Sequence, residues 1–285
     1  MSIDLTKLPA PAVVESLNFE TILATIKADV IANYPDAAAT LQLESEPITK
    51  LIEVFAYREL MLRARINDAA RSVMLAYAVS TDLDNLAALV GVSRLDGETD
   101  DRLRYRTQLS LEGFSTAGPA LSYVFHALSA SNQVKDVHVD SPTPGEVRVV
   151  VLAAPSESNP DGVPSSELLA AVESTLNAED VRPLCDTVIV APASVLTYAI
   201  SATLTCVPGP DTSVVLAAAL SACQTYATEQ FLLGYDVTVS GLHAALHQPG
   251  VMRVDLVRPA ASITVANDQA ARCTGINVTI AGVGV

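Results

Sequence analysis

The sequence predicts an α+β protein: an N-terminal long-helix bundle region followed by two small mixed α/β domains. Three observations carry this. A stretch from Pro47 to Val79 keeps helical apolar spacing almost without a break, and beyond about residue 130 alternating strand-like segments are interleaved with helical ones. The 285-residue chain is also long enough for two or three domains, each with its own core. The domain organisation expected from the changes in texture is 1–98 for the helical region, 99–192 for a middle α/β domain and 193–285 for a C-terminal α/β domain. Ala191-Pro192-Ala193 marks the second boundary.

The first helix is expected over Ser16 to Asn33, on apolar spacing at Leu17, Ile22, Ile26, Val30 and Ile31, and Tyr34-Pro35-Asp36 ends it. Ser45-Glu46-Pro47 opens the second, with proline in the first turn, where its missing N–H costs nothing. Leu51, Phe55, Leu62, Ile66, Ala69, Val73 and Tyr77 recur at steps of three, four or seven and form one face. Glu59 and Arg63 are ordered for an i,i+4 pair. Extended to Val79, this helix would be roughly 45–50 Å long, several times the average for globular domains, which points to a bundle shared between chains. The seven apolar residues are the predicted helix-bundle interface.

Thr81 is expected to cap a short helix over Asp82 to Val90, and Thr99 another with Asp100 and Asp101 in its first turn. Arg102 and Arg106 share a face of that helix and are candidates for contact with an acidic partner surface. A helix then runs from the segment around Ser115 to about Ala130. Val134 to Val139 and Glu146 to Val151 alternate around a Pro/Gly turn and read as an antiparallel hairpin. Ser166 to Asn177 reads as helix and Asp186 to Val190 as strand. Further on come a strand (Leu196 to Val207), a turn (Pro208 to Asp211) and a helix (Thr212 to Phe231). A short helix (Ser240 to His247) and strands near Val251 to Val257 and Cys273 to Ala281 complete the chain. A weak echo joins Ala127-Leu128 with Val134 to Val137, and Ala245-Leu246 with Val251 to Val254, each a helix followed by a strand and a proline turn.

Composition limits the function. The formal charge of −15 repels nucleic-acid phosphates and anionic membranes, so neither is an expected partner. Trp is absent and aromatics are 5%, which removes the platforms expected of sugar or nucleobase binding. Cys185, Cys206, Cys223 and Cys273 lack a CxxC spacing and read as four buried free thiols of a reducing compartment. Asp4 and Lys7 flank only short apolar stretches, so no export leader is expected, and no apolar run is long enough to span a bilayer.

Catalytic patterns fail one by one. His243 and His247 stand at i and i+4 but enclose Ala244-Ala245-Leu246, without the glutamate of a metalloprotease and without an evident third ligand. A hydrolase using these histidines is the alternative reading of the chain, and it lacks a matching nucleophile. His126 and His138 are solitary. Gly113 to Gly118 has the wrong spacing for a nucleophile elbow, no phosphate-cradling glycine loop occurs, and Asn159-Pro160-Asp161-Gly162 reads as a turn, not a calcium loop. No catalytic residue, metal or cofactor is expected. A secreted adhesin is disfavoured by the free thiols and the absence of a leader.

Several segments together carry a resemblance. Glu46 through Glu59, Arg63 through Ala70, Leu83 through Ala87, Glu112-Gly113-Phe114-Ser115-Thr116-Ala117-Gly118-Pro119, Pro144 through Val147, Asn177 through Leu184 and Ala244 through Val251 resemble the baseplate J-like proteins of contractile-tailed phages and R-type pyocins. The likeness spans nearly the whole chain. It implies a structural baseplate wedge subunit, not an enzyme, found in a virion or pyocin tail and assembled in the bacterial host cytoplasm. It further implies that two copies combine with one smaller I-like wedge partner through a shared N-terminal bundle. C-terminal domains would link neighbouring wedges into a ring around the hub that opens on sheath contraction, and the sheath initiator and hub or spike proteins would be neighbours.

Overall fold

A computed structural model describes residues 5–9, 11–115, 118–209 and 211–284. Thr116 and Ala117 of the Glu112-to-Pro119 segment, Pro210 of the Pro208-to-Asp211 turn, and Asp4 lie outside the described residues. The chain divides into two compact units, Met1–Arg94 with Thr99–Gln108, and Leu95–Glu98 with Leu109–Val285.

In the first unit, α1 (Phe19–Asn33) begins where Asn18 Oδ1 accepts the Thr21 N–H at 3.0 Å, three residues later than the sequence suggests. The long helix α2 (Pro47–Ser72) packs its inner side on α1: Ile52 joins Ala37 and Leu41 in a small core against Leu23, Ile26, Val30 and Ile31. At 26 residues α2 is about 39 Å long and ends before Val79, which corrects the expected rod. The apolar period does continue past Ser72, but the carbonyls there have another donor. Arg104 donates from Nε to the Leu75 carbonyl at 2.8 Å and from Nη2 to the Ala78 carbonyl at 2.7 Å. These carbonyls would bond within the helix if it continued; the guanidinium takes them instead.

The short helix α3 (Ser80–Ala88) also differs from expectation. Thr81 is not its cap. The Asp100 carboxylate, from the start of α4 (Asp100–Gly113), accepts the Ser80 N–H at 2.9 Å. This holds Ser80 at φ 50°, a left-handed backbone costing about 1–2 kcal/mol for a residue with a Cβ. That hydrogen bond, together with Arg94 at 2.7 Å, keeps the Asp100 carboxyl below the usual carboxylate range. Thr99 Oγ1 accepts the Arg102 N–H at 3.4 Å, in line with its predicted capping role.

The second unit holds two three-stranded sheets. After α5 (Ala120–Ala130), β1 (Val134–Asp140) and β2 (Glu146–Ala153) form the expected antiparallel hairpin, with Val137 opposite Val151. Through α6 (Ser166–Leu176) the chain returns as β3 (Thr187–Pro192), parallel to β2 with Val149 opposite Val190. The run of apolar residues in β2 has a cause: Val149 and Val151 face α5 and α6, while Val150 and Leu152 face a second cluster with Phe231, Leu233 and Ala270. The other sheet has β4 (Ser194–Cys206) in its centre. β5 (Val251–Arg258) lies antiparallel on one side of it and β6 (Gln269–Val283) parallel on the other. One face packs on α7 (Thr212–Gln230) and α8 (Val239–Leu246), capped by Asp211 and Thr238.

The sequence echo is local. α5–β1 and α8–β5 each deliver an edge strand antiparallel to the sheet's centre, but the chain then proceeds from β1 to its neighbour β2, whereas β5 is followed by β6, with which it does not pair. Cys206 and Cys223 are buried and Cys273 is half-buried; Cys185 is exposed, which corrects the expectation of four buried thiols.

Candidate interaction surface

The outer side of α2 is apolar and open. Thr49, Ile52, Ala56 and Asn67 form the buried side. Of the seven residues singled out in the sequence, Leu51, Phe55, Leu62, Ile66, Ala69 and Val73 are exposed and Tyr77 is half-buried, with Leu62 at 65% and Ile66 at 60%. Val73 is the residue that ends the helix, and Tyr77 lies beyond it, so those two are not on the rod itself. Projected at about 100° per residue, Ile48, Leu51, Phe55, Leu62, Ile66 and Ala69 fall within an arc of about 60°.

A second stripe escaped the sequence reading. Val54, Tyr57 and Met61 are also exposed, at 57%, 54% and 52%. They lie about 120° from the first stripe, and the buried side lies roughly a further third of a turn on. Their three- and four-residue spacing was a readable signal. The periodicity alone did not say which of two apolar arcs faces the chain's own core. Fully burying each such side chain is worth about 1.5–3 kcal/mol, a gain the chain alone does not collect on this surface.

Arg58 and Arg65 stand between the two stripes, both exposed and without an ion pair among the described residues. Nearby, Arg63 is held by Glu59 at 2.7 Å, as expected, and by Glu15 at 3.1 Å, and these carboxylates raise its pKa. The expected acidic-partner face on α4 is corrected at Arg106. Its side chain is 2% exposed, and Nη2 donates to the Ser93 carbonyl at 2.7 Å, so it is occupied inside the fold. Arg102 is half-buried.

In the second unit, two of the resembling segments meet. Gly113, Phe114 and Ser115 line a cavity of about 260 Å³ with Glu179 to Leu184. Tyr123 donates to Asp186 Oδ2 at 2.6 Å, and burial with this carboxylate pushes the phenol pKa up. His126 Nε2 lies 3.4 Å from the Gly113 carbonyl, and burial lowers its pKa, favouring a neutral ring that donates there. Phe114 at 67% and Leu184 at 99% are exposed beside the cavity.

The histidine pair has a structural part. His247 follows the end of α8, and its backbone N–H donates to the His243 carbonyl at 2.9 Å. Among the described residues no three His, Cys, Asp or Glu side chains gather as a metal set. Asn159 Nδ2 donates to the Val163 carbonyl at 2.8 Å and Asp161 pairs with Arg272, so the Asn159–Gly162 turn uses its polar groups internally. No helix among the described residues is long and apolar enough to cross a membrane.

An overlong helix with an uncovered apolar surface, joined to two small sheet modules, defines an assembly subunit. The sequence matches the Baseplate J-like N-terminal domain over residues 44–99, the Baseplate J-like central domain over 115–192 and the Baseplate J-like protein C-terminal domain over 198–279, and the chain belongs to this family. It is similar to baseplate protein J of Escherichia phage P2, 44% identical over a 300-residue alignment covering 98% of each chain. A structural role in a phage tail baseplate, in contact with other baseplate components, follows from that membership.

Proposed function

We propose that the chain is a baseplate wedge subunit in which two copies combine with one smaller wedge protein through the outer side of α2. The observation that carries this reading is the pair of exposed apolar stripes on α2, because each is a seam that a helix of another polypeptide can bury. The interface assigned to the first seam is Leu51, Phe55, Leu62, Ile66 and Ala69, with Val73 and Tyr77 at its end. Arg102 is a contact for an acidic partner surface.

In this reading residues 1–98 form the bundle region, 99–192 a middle domain and 193–285 the domain that links neighbouring wedges into a ring around the hub, which opens when the sheath contracts. Sheet edges favour such docking, since among the described residues β5 and β6 each have one side that no other strand pairs, apart from a bridge between Leu233 and Ala270 at the start of β6. Assembly would take place in the host cytoplasm, next to the sheath initiator and hub or spike proteins.

Size-exclusion chromatography with light scattering tests the stoichiometry. The full chain should run as a dimer or larger, and as a complex when co-expressed with the smaller wedge protein. A stable monomer that ignores that protein would refute the reading. Phe55→Asp or Ile66→Asp should abolish tail assembly while leaving the isolated chain folded, because both side chains are already in water there.

A further inference from the structure

We propose that in the assembled baseplate Arg58 and Arg65 are met by carboxylates of a polypeptide other than this chain, carried about seven positions apart on an amphipathic helix. The inference rests on the bundle reading above and adds the chemistry of the helix that covers α2. The two arginines lie one heptad apart, about 60° from each apolar stripe. Helices seated on both stripes therefore flank them and remove part of their water. A guanidinium so flanked favours an anionic, hydrogen-bonding partner, and a bidentate carboxylate suits its planar fork.

The α2 helix of a second copy is poorly equipped to supply it. Of the carboxylates on α2, Glu53 is already held by Lys50 at 2.9 Å and Glu59 by Arg63 at 2.7 Å. Asp68, 4.0 Å from Arg71, is one group against two arginines. A parallel copy in register would also set Arg58 beside Arg58 and Arg65 beside Arg65. The chain as a whole carries −15, so a cationic row on this surface gives an acidic helix an orientation that the rest of the molecule would repel.

The test uses full-length chain in assembled tail particles, with p-benzoylphenylalanine replacing Arg58 or, separately, Arg65, followed by irradiation and mass mapping. The expected crosslink is to another polypeptide, within one helical turn of an Asp or Glu. Crosslinks to residues 44–72 of a second copy, or none at either position, overturn the proposal. Arg58→Glu with Arg65→Glu should lower particle yield about tenfold or more, and the corresponding lysine variant should restore most of it. Normal yield from the glutamate variant also overturns the proposal. Phe55→Asp separates the two levels: if it too assembles normally, the bundle reading fails, and if it blocks assembly while the glutamate variant does not, only the charge inference fails.

Discussion

The Asn67 side chain grips the backbone of Glu15 at both ends of one residue, accepting its N–H at 3.0 Å and donating to its carbonyl at 2.9 Å. Asn67 is 6% exposed and sits on the inner side of α2. The pair ties the segment before α1 to the long helix across 52 positions of sequence. It therefore fixes which side of α2 is covered by the chain itself and which is left outward.

Replacing Asn67 with alanine removes both bonds and leaves the N–H and carbonyl of exposed Glu15 to water. The expected loss is about 1–3 kcal/mol of stability in the first unit, measured by thermal or denaturant unfolding. Hydrogen exchange should show the Glu15 amide losing protection first. Unchanged protection there would mean that Asn67 does not hold the segment.

Gly118 has φ +64°, and a Cβ on it would lie 2.7 Å from Pro183 Cγ and 3.2 Å from Asp186 Oδ2. Gly118→Ala should therefore cost about 1–3 kcal/mol, from left-handed backbone and overpacking together. It should also disturb the Tyr123–Asp186 hydrogen bond, visible as a tyrosine absorbance change on unfolding at lower temperature.

Lys135 gives the second unit an alkaline signature. Its ammonium lies 4.3 Å from the centre of the Phe231 ring, beside Asp136, and burial lowers its pKa to about 8 from 10.5. Between these values the unfolded chain binds more protons than the native one, so the penalty this group places on folding is full below pH 8 and falls away as pH rises from there. Lys135→Met removes the penalty. The melting-temperature gap between variant and wild type should be larger at pH 7 than at pH 9; a gap constant with pH would contradict the shift.

Most of the helices and strands were legible in the sequence because local signals set them. Thr99 and the Pro/Gly turn between β1 and β2 act over a few residues, and the alternation of β4 and β6 reads directly as strand. What was not legible depends on distant partners. Nothing near Val73 announces that Arg104 will capture the carbonyls of Leu75 and Ala78 and end α2 early. Likewise Thr81 looks like a cap until Asp100 takes the Ser80 N–H. The parallel pairing of β4 with β6 brings Tyr198 opposite Cys273, a choice no local pattern encodes.

The candidate surface was half legible. Spacing located Leu51, Phe55, Leu62 and Ile66, and the structure leaves all four exposed. Val54, Tyr57 and Met61 were missed because apolar content on three sides of a helix does not say which side its own chain covers. Arg106 was misread because an arginine on a helix face resembles a solvated one until its carbonyl partner, Ser93, is seen.

The central claim, that other polypeptides cover the outer side of α2, is tested most directly by oxidative footprinting of the full chain alone and in assembled tails. Met61, at 52% exposed, and Phe55, at 57%, are suited reporters. Both should be readily oxidised in chain diluted until it is monomeric and strongly protected in the particle, while exposed Cys185 of the second unit gives an independent reference. Equal oxidation of Met61 and Phe55 in the two states would show the stripes still open to water after assembly and would contradict the account.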